Sequence, residues 1–148
     1  EEYNKIKDFN LDAINVVRLK DFLKFRSFWK DRIKYMFNDI HNYSYKEAAK
    51  YFISSIDIKE NIIPTIIPGW DHSPRSGKKA LILTDYTPKE FEKHAHDVLS
   101  LVSKKENKLC FIKAWNEWGE GNHLEPDLKY GLAFLETLQK VKEQYHIE

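Results

Sequence analysis

The sequence predicts an α/β fold in which parallel strands alternate with helices. Two apolar runs, at residues 62–67 and 109–114, have the length and composition of buried strands. Amphipathic helical patterns precede, separate and follow them, an order typical of right-handed βαβ units. With 148 residues and 42% apolar composition, the chain can form one domain with its own core, and we expect a single domain over residues 1–148.

The first part of the chain predicts a helical segment over residues 1–42. Between Leu11 and Ile40 apolar side chains recur at steps of three and four, namely Phe22, Phe25, Trp29, Ile33, Met36 and Ile40. Ser44 and Glu47 have the spacing of a capping box and predict the start of a short helix. Residues 43–148 then carry the strand and helix pattern that defines the fold.

The first strand is predicted at residues 62–67, a β-branched run that suits a strand covered on both faces. Pro64 is an objection, because proline cannot donate a hydrogen bond to a neighbouring strand. Residues 69–86 predict a long loop. Thr87 and Pro88 then predict the first turn of a helix, whose buried face is Phe91, Ala95, Val98, Leu99 and Val102.

The second strand, residues 109–114, repeats the pattern of a strand covered on both faces. Asp127 is expected to cap a last helix. Its apolar stripe would be Leu128, Leu132, Leu135, Leu138 and Tyr145.

Composition limits the classes of function. Lys and Arg number 24 against 23 Asp and Glu, so no overall field indicates nucleic acid or an anionic membrane as a partner. No apolar run is long enough for a membrane span, and no signal peptide is evident. The single cysteine favours a reducing compartment, so we expect a cytoplasmic location. Without a Cys/His cluster we expect no structural metal, and a divalent ion bound by carboxylates is an open alternative that no motif supports. We also expect no cofactor.

Two loops carry residues suited to chemistry, and both follow a predicted strand. Trp70 and Asp71 follow the first strand, while Trp115, Asn116 and Glu117 follow the second. Loops at the carboxyl ends of neighbouring parallel strands share one rim, which is where active sites of such folds lie. We therefore expect these side chains to converge.

The second loop contains a pair of acids, Glu117 and Glu120, three positions apart in the sequence. That spacing places their Cα atoms within about 10 Å, and Gly119 and Gly121 favour a turn that brings both carboxylates to one side. Paired carboxylates about 5 to 9.5 Å apart catalyse glycoside chemistry. A solvated acidic turn remains the alternative interpretation.

Indoles and polar groups around the acids suit a sugar ring, which packs on an aromatic plane while fixed groups bind its hydroxyls. The candidate substrate-binding residues are Trp70, Asp71, Arg75, Trp115, Asn116, Trp118, His123 and Glu125. Several alternatives stay open: Trp115 as a core residue, an ion pair between Asp71 and Arg75, and a hydrogen-bonding or surface role for His123.

Three motifs resemble one known family. "PGWDHSPRSGKKA" from Pro68, "TPKEFEKH" from Thr87 and "AWNEWGEGNHLEPDLKYGLAFLE" from Ala114 are similar to the C-terminal half of the WbsX-like glycosyltransferases of bacterial polysaccharide gene clusters. These are related to the endo-mannosidases of glycoside hydrolase family 99. The match runs from about Tyr43 to the end of the chain.

The resemblance implies that the chain is the C-terminal part of a (β/α)8 TIM-type barrel, which needs about 250 residues in all. It also implies that Glu117 and Glu120 are the catalytic pair of a retaining-type mechanism. Glu117 would then draw a proton from the sugar 2-hydroxyl, and Glu120 would protonate the leaving oxygen. Trp70, Asp71 and Arg75 would shape the sugar subsite.

The resemblance leaves the reaction open. A transferase acting on a glycan or sugar donor, a hydrolase of the endo-mannosidase type and a noncatalytic carbohydrate-binding module are all compatible with these residues, and the remainder of the barrel would be needed. Two positions depart from the family pattern: His72 stands where an asparagine is expected, and Lys113 where a small polar residue is more usual.

Overall fold

A computed structural model of the chain describes residues 10–25 and 41–146. The strands of this part are β1 (Ile14–Val16), β2 (His41–Ser44), β3 (Ile62–Ile66), β4 (Leu81–Thr84), β5 (Phe111–Ile112), β6 (Asn116–Glu117) and β7 (Asn122–His123). Its α-helices are α1 (Tyr45–Ala49), α2 (Ser73–Ser76), α3 (Pro88–Val102) and α4 (Ala133–Gln144). Short 3-10 turns cover Asp21–Phe25, Ser55–Ile58, Gly77–Lys79 and Trp118–Glu120.

Three parallel strands form the central sheet, in the order β1, β3, β5. All five residues of β3 are buried, which confirms the strand predicted at residues 62–67 and its two covered faces. Each pair of neighbouring strands is joined by a connection that contains a helix. The described residues therefore form a mixed α/β fold with parallel strands, without closing into a barrel.

The second predicted strand is shorter and more exposed than expected. Only Phe111 and Ile112, within the predicted residues 109–114, are strand, and both side chains are exposed, as is that of Leu109. β5 is an edge strand of the described sheet, with β3 on one side and no described strand on the other. An apolar run predicts burial, but the position of the strand in the sheet decides whether a covering layer is present.

The predicted loop over residues 69–86 contains regular structure. It holds α2 and β4, and β4 pairs in parallel with β2, about forty residues earlier in the chain. This pairing joins distant segments, so no local pattern around residues 81–84 indicated it.

The predicted N-terminal helical segment is wrong where the structure describes it. Residues 14–16 form β1 and residues 41–44 form β2, because each lies beside a strand that offers backbone partners. Phe22, in the 3-10 turn Asp21–Phe25, is buried. The remaining positions of the predicted stripe, Trp29, Ile33, Met36 and Ile40, lie outside the described residues.

The helix predicted after Thr87 is confirmed. The Thr87 hydroxyl accepts a hydrogen bond from the Glu90 amide (3.3 Å), and the predicted apolar face of α3 is buried. α3 packs against α4.

The last helix differs from the prediction, because it begins at Ala133 and not after Asp127. Asp127 instead accepts a hydrogen bond from the Lys129 amide (2.7 Å) in a preceding turn, and Leu128 is fully exposed.

Buried charge also fixes the connection between β1 and β3. The Arg18 guanidinium donates to the Asp57 carboxylate at 2.7 Å, with both groups shielded from solvent. Asp57 also accepts from the Ser54 amide (2.8 Å). A buried charge needs such a partner, so this pair couples two elements of the core.

Among the described helices, none has the length and apolar character that crossing a membrane requires.

Candidate active site

The exit of β3 is held by two buried side chains that bind the backbone of Ile67. The Tyr45 hydroxyl donates to its carbonyl (2.6 Å), and its amide donates to Nε2 of His94 (3.1 Å). Burial raises the pKa of Tyr45 and lowers the pKa of His94 to about 3. Both side chains are therefore neutral hydrogen-bonding groups, and they fix where the following loop begins.

The first loop is held against β4 by two backbone hydrogen bonds. The Leu83 amide donates to the Trp70 carbonyl (2.8 Å), and the His72 amide donates to the Leu81 carbonyl (3.2 Å). Trp70 is only 8% exposed and belongs to the core, and its indole stacks on the His72 ring with centroids 5.9 Å apart. The strand β4, which the sequence did not predict, thus positions this loop.

The second loop folds back as a small hairpin. β6 and β7 pair antiparallel, with Asn116 opposite His123. The turn between them has Gly121 in the left-handed region, at φ +52°. A side chain there would meet Asp71, because an added Cβ would lie 2.7 Å from the Asp71 Cβ. Glycine therefore allows the Asp71 amide to reach the Glu120 carbonyl at 2.7 Å, and the two loops meet.

Both candidate catalytic acids face the same cation. Arg75 Nη2 lies 2.9 Å from Oε1 of Glu117, and Arg75 Nη1 lies 3.3 Å from Oε1 of Glu120. His72 Nε2 lies 3.6 Å from the same Oε1 of Glu120. Glu120 is the more buried of the two acids, with 15% of its side chain exposed against 34% for Glu117. The structure therefore brings residues 72, 75, 117 and 120 together at the meeting point of the loops.

An aromatic pair forms in the same hairpin as the two acids. Trp118 stacks on His123 with ring centroids 3.6 Å apart, and its indole N–H donates to Oε2 of Glu125 (2.7 Å). The Trp118 residue is still 48% exposed, and Trp115 is 51% exposed. His123 Nε2 lies 3.5 Å from Asp127. The indole plane of Trp118 is thus oriented by two of the predicted substrate-binding residues.

The other predicted residues have simpler surroundings. Asp71 accepts from the Ser73 amide through Oδ1 (2.9 Å), while Arg75 pairs with the two glutamates. Asn116, in β6, is exposed. Trp70 lies under His72 in the core, so it supports the loop from below.

Sequence reasoning gave no role to three residues that the structure places here. His72 contacts Glu120, and Ser76 Oγ lies 2.8 Å from Nδ1 of His72. The Lys113 ammonium lies 5.7 Å from the centroid of the Trp70 ring. In the sequence, His72 and Lys113 are recognisable only as departures from a family pattern, and no local signal indicates that a serine four residues after a histidine will bind its ring. Within residues 10–25 and 41–146, no cluster of three or more His, Cys, Asp or Glu side chains suits a metal ion.

Comparison with known proteins gives one family and two relatives. The family model described as "Glycosyltransferase WbsX" matches residues 3–138. Two proteins of Xanthomonas campestris pv. campestris, from strain B100 and from a second strain, are each described as "Uncharacterized protein WxcX" and are 34% identical over 84 residues. That alignment covers 53% of the chain and 12% of each relative, so the chain spans a small part of their length. No solved structure matches significantly.

Proposed function

The chain belongs to the WbsX glycosyltransferase family, and from this premise we propose that it carries the acid and base of an enzyme that forms a glycosidic bond in bacterial surface polysaccharide biosynthesis. The family description supports a glycan as the substrate class. Because the chain spans only 12% of its curated relatives, the activity of the whole protein is part of the proposal.

One observation carries the proposal: Glu117 and Glu120 point at a single guanidinium. The terminal nitrogens of a guanidinium are about 2.3 Å apart. Together with the contacts of 2.9 and 3.3 Å to Arg75, this places the two Oε1 atoms no more than about 8.5 Å from each other. Carboxylates that act together on a glycosidic bond are about 5 to 9.5 Å apart. This upper limit is compatible with an acid and a base that act on one glycosidic bond.

The proposed roles follow the positions of the acids. Glu120, the more buried, protonates the oxygen that leaves the sugar and then deprotonates the acceptor. Glu117 acts as the base that draws a proton from the 2-hydroxyl of the sugar. Without substrate, the Arg75 guanidinium pairs with both carboxylates. When a sugar binds, the guanidinium moves away and the sugar occupies the space between the two acids. Transfer and hydrolysis differ only in the acceptor, which is a sugar hydroxyl or water.

Trp118 is proposed as the sugar platform. His123 covers one of its faces at 3.6 Å, yet almost half of the residue is exposed, which leaves the opposite face open to a sugar ring. Glu125 fixes the plane through the indole N–H. Stacking of an apolar sugar face on a pre-oriented indole costs little ordering entropy, which favours binding.

We further propose that other parts of the polypeptide complete a (β/α)8 barrel around this sheet. Support comes from β5, an edge strand of the described sheet that exposes the apolar side chains of Phe111 and Ile112, with Leu109 also exposed just before it. An exposed apolar edge is a site for further pairing. In the barrel, these side chains would be covered by the next β/α unit.

The test uses the full-length protein and a screen of nucleotide-sugars and oligosaccharides. Glu117→Gln and Glu120→Gln are compared with Glu143→Gln, an exposed glutamate of α4 that serves as the matched control. We expect each site variant to lose about 10²- to 10⁴-fold in turnover, since that is the usual contribution of a general acid or base. The control should keep the turnover of the unmodified protein, and all variants should still bind glycan.

The products separate the remaining alternatives. A new oligosaccharide formed with a glycan acceptor supports transfer, and release of a reducing sugar supports hydrolysis. Binding without turnover in the unmodified protein would instead assign a noncatalytic carbohydrate-binding module. Turnover that survives in Glu120→Gln within tenfold would remove the proposed acid.

A further inference from the structure

Glu120 is held through one of its two carboxylate oxygens. Oε1 is the atom that faces both Arg75 Nη1 (3.3 Å) and His72 Nε2 (3.6 Å). The charged groups that face this carboxylate are therefore Arg75 and His72, with Glu117 across the same guanidinium. Contacts that gather on one oxygen orient the carboxyl group and leave the other oxygen, Oε2, for proton transfer.

His72 makes two contacts through its ring and one through its backbone. Its Nδ1 lies 2.8 Å from Oγ of Ser76, one turn of α2 later. Its ring stacks on the indole of Trp70 at an interplanar angle of 23°. Its backbone amide is bonded to the Leu81 carbonyl. These contacts hold the ring beside Glu120, with Nε2 at 3.6 Å from Oε1.

The groups around the ring favour one tautomer of His72. Oε1 of Glu120 carries lone pairs, so the tautomer of His72 with its proton on Nε2 faces that oxygen favourably, at 3.6 Å, which is longer than a hydrogen bond. Nδ1 is then an acceptor, and the Ser76 hydroxyl can donate to it. The opposite tautomer would set the Nε2 lone pair against the Glu120 oxygen. Contacts of catalytic groups are often long without substrate and shorten in the complex.

We propose that His72 is a positioning residue for Glu120. Ser76 keeps its proton on Nε2, and the Nε2–H anchors Oε1 so that Oε2 faces the reacting oxygen. This inference rests on the proposed function and adds residues 72 and 76 to its site. During the reaction one proton leaves Oε2 for the departing oxygen and later returns from the acceptor hydroxyl. The proton on His72 stays in place and stabilises the carboxylate formed in between.

Two substitutions at residue 72 separate positioning from packing. A glutamine places its amide nitrogen near the position of the imidazole Nε2, whereas an asparagine reaches only the position of Nδ1. His72→Gln should therefore keep the donor to Glu120, and His72→Asn should lose it. In the full-length protein we expect kcat to fall roughly 10- to 100-fold in His72→Asn, with KM little changed, and to recover most of this loss in His72→Gln. His146→Asn, an exposed histidine, is the control.

A second measurement does not depend on turnover. The ¹⁵N shifts of the His72 ring, assigned by their loss in His72→Gln, report which nitrogen carries the proton. We expect the Nε2–H tautomer in the unmodified protein and a loss of this preference in Ser76→Ala.

The outcomes distinguish the two proposals. An Nδ1–H tautomer, or equal kcat in His72→Asn and His72→Gln, overturns the inference while the loss in Glu120→Gln upholds the proposed function. Full turnover in Glu120→Gln overturns the proposed function and, with it, any positioning role for His72.

Discussion

The contact between the two site loops should break when Gly121 is replaced by alanine. Gly121 has φ +52°, where an alanine costs about 1–2 kcal/mol. The new Cβ would also lie 2.7 Å from the Asp71 Cβ and 3.0 Å from its amide nitrogen, well inside the 3.5–4.0 Å that carbon atoms normally keep. Relief of such overpacking costs about 1–3 kcal/mol more, because the backbone of one loop must move.

Gly131→Ala is a matched control for the backbone term. Gly131 has φ +55°, but an added Cβ would meet nothing within 4 Å. The control should therefore show the cost of the left-handed conformation alone, about 1–2 kcal/mol. The difference between the two variants isolates the contact between the loops.

Hydrogen exchange at the Asp71 amide measures this contact directly. That amide donates to the Glu120 carbonyl at 2.7 Å, so its exchange reports local opening between the loops. In Gly121→Ala we expect exchange roughly 5- to 150-fold faster than in Gly131→Ala, the factor that corresponds to about 1–3 kcal/mol. Equal exchange rates in the two variants would refute the idea that the close approach at Gly121 holds the site together.

Three further predictions concern buried groups. Arg18→Met should lower the free energy of unfolding by about 3–5 kcal/mol in urea denaturation, because it leaves the Asp57 carboxylate buried without its cation. Adding Asp57→Asn should recover most of that loss. A double variant without recovery would contradict this cause. Burial lowers the pKa of His94 to about 3 from 6.5, so the unfolded chain binds a proton that the folded chain excludes. Stability should therefore fall by about 2 kcal/mol as the pH drops from 7 to 5, and His94→Gln should show a smaller fall if this proton is responsible. Burial also raises the pKa of Cys110 to about 11, from 9.0. Iodoacetamide should then react with the native thiol about 100-fold more slowly at pH 8 than with the unfolded chain, and similar rates would show that the thiol is accessible and ionised.

The local elements of the fold could be predicted from sequence, but the pairing between distant segments could not. The start of α3 follows from Thr87 and Pro88, and β3 follows from the run of β-branched residues that fills it. Those signals act within a few residues of each other. β4 shows the opposite case, because its strand conformation depends on β2, and nothing near residue 81 specifies that partner.

The candidate site shows the same division. The spacing of Glu117 and Glu120 and the glycines around them predicted that the two acids could face one side. The residue that they face could not be predicted, since Arg75 lies more than forty positions away and Asp71, four positions before it, was an equally available partner. His72 was visible only as an unusual residue in a motif, and its contact with Glu120 depends on the stack with Trp70.

The sequence by itself determined which chemical groups lie on two loops after parallel strands, because propensity, capping and strand patterns depend on neighbouring residues. Only the tertiary structure decided how those groups combine. The approach of Gly121 to Asp71 and the clamp of β4 set the loops at hydrogen-bonding distance, and that distance determines which acid meets which cation. Such contacts depend on the relative placement of whole elements, which packing and strand pairing fix over the entire domain.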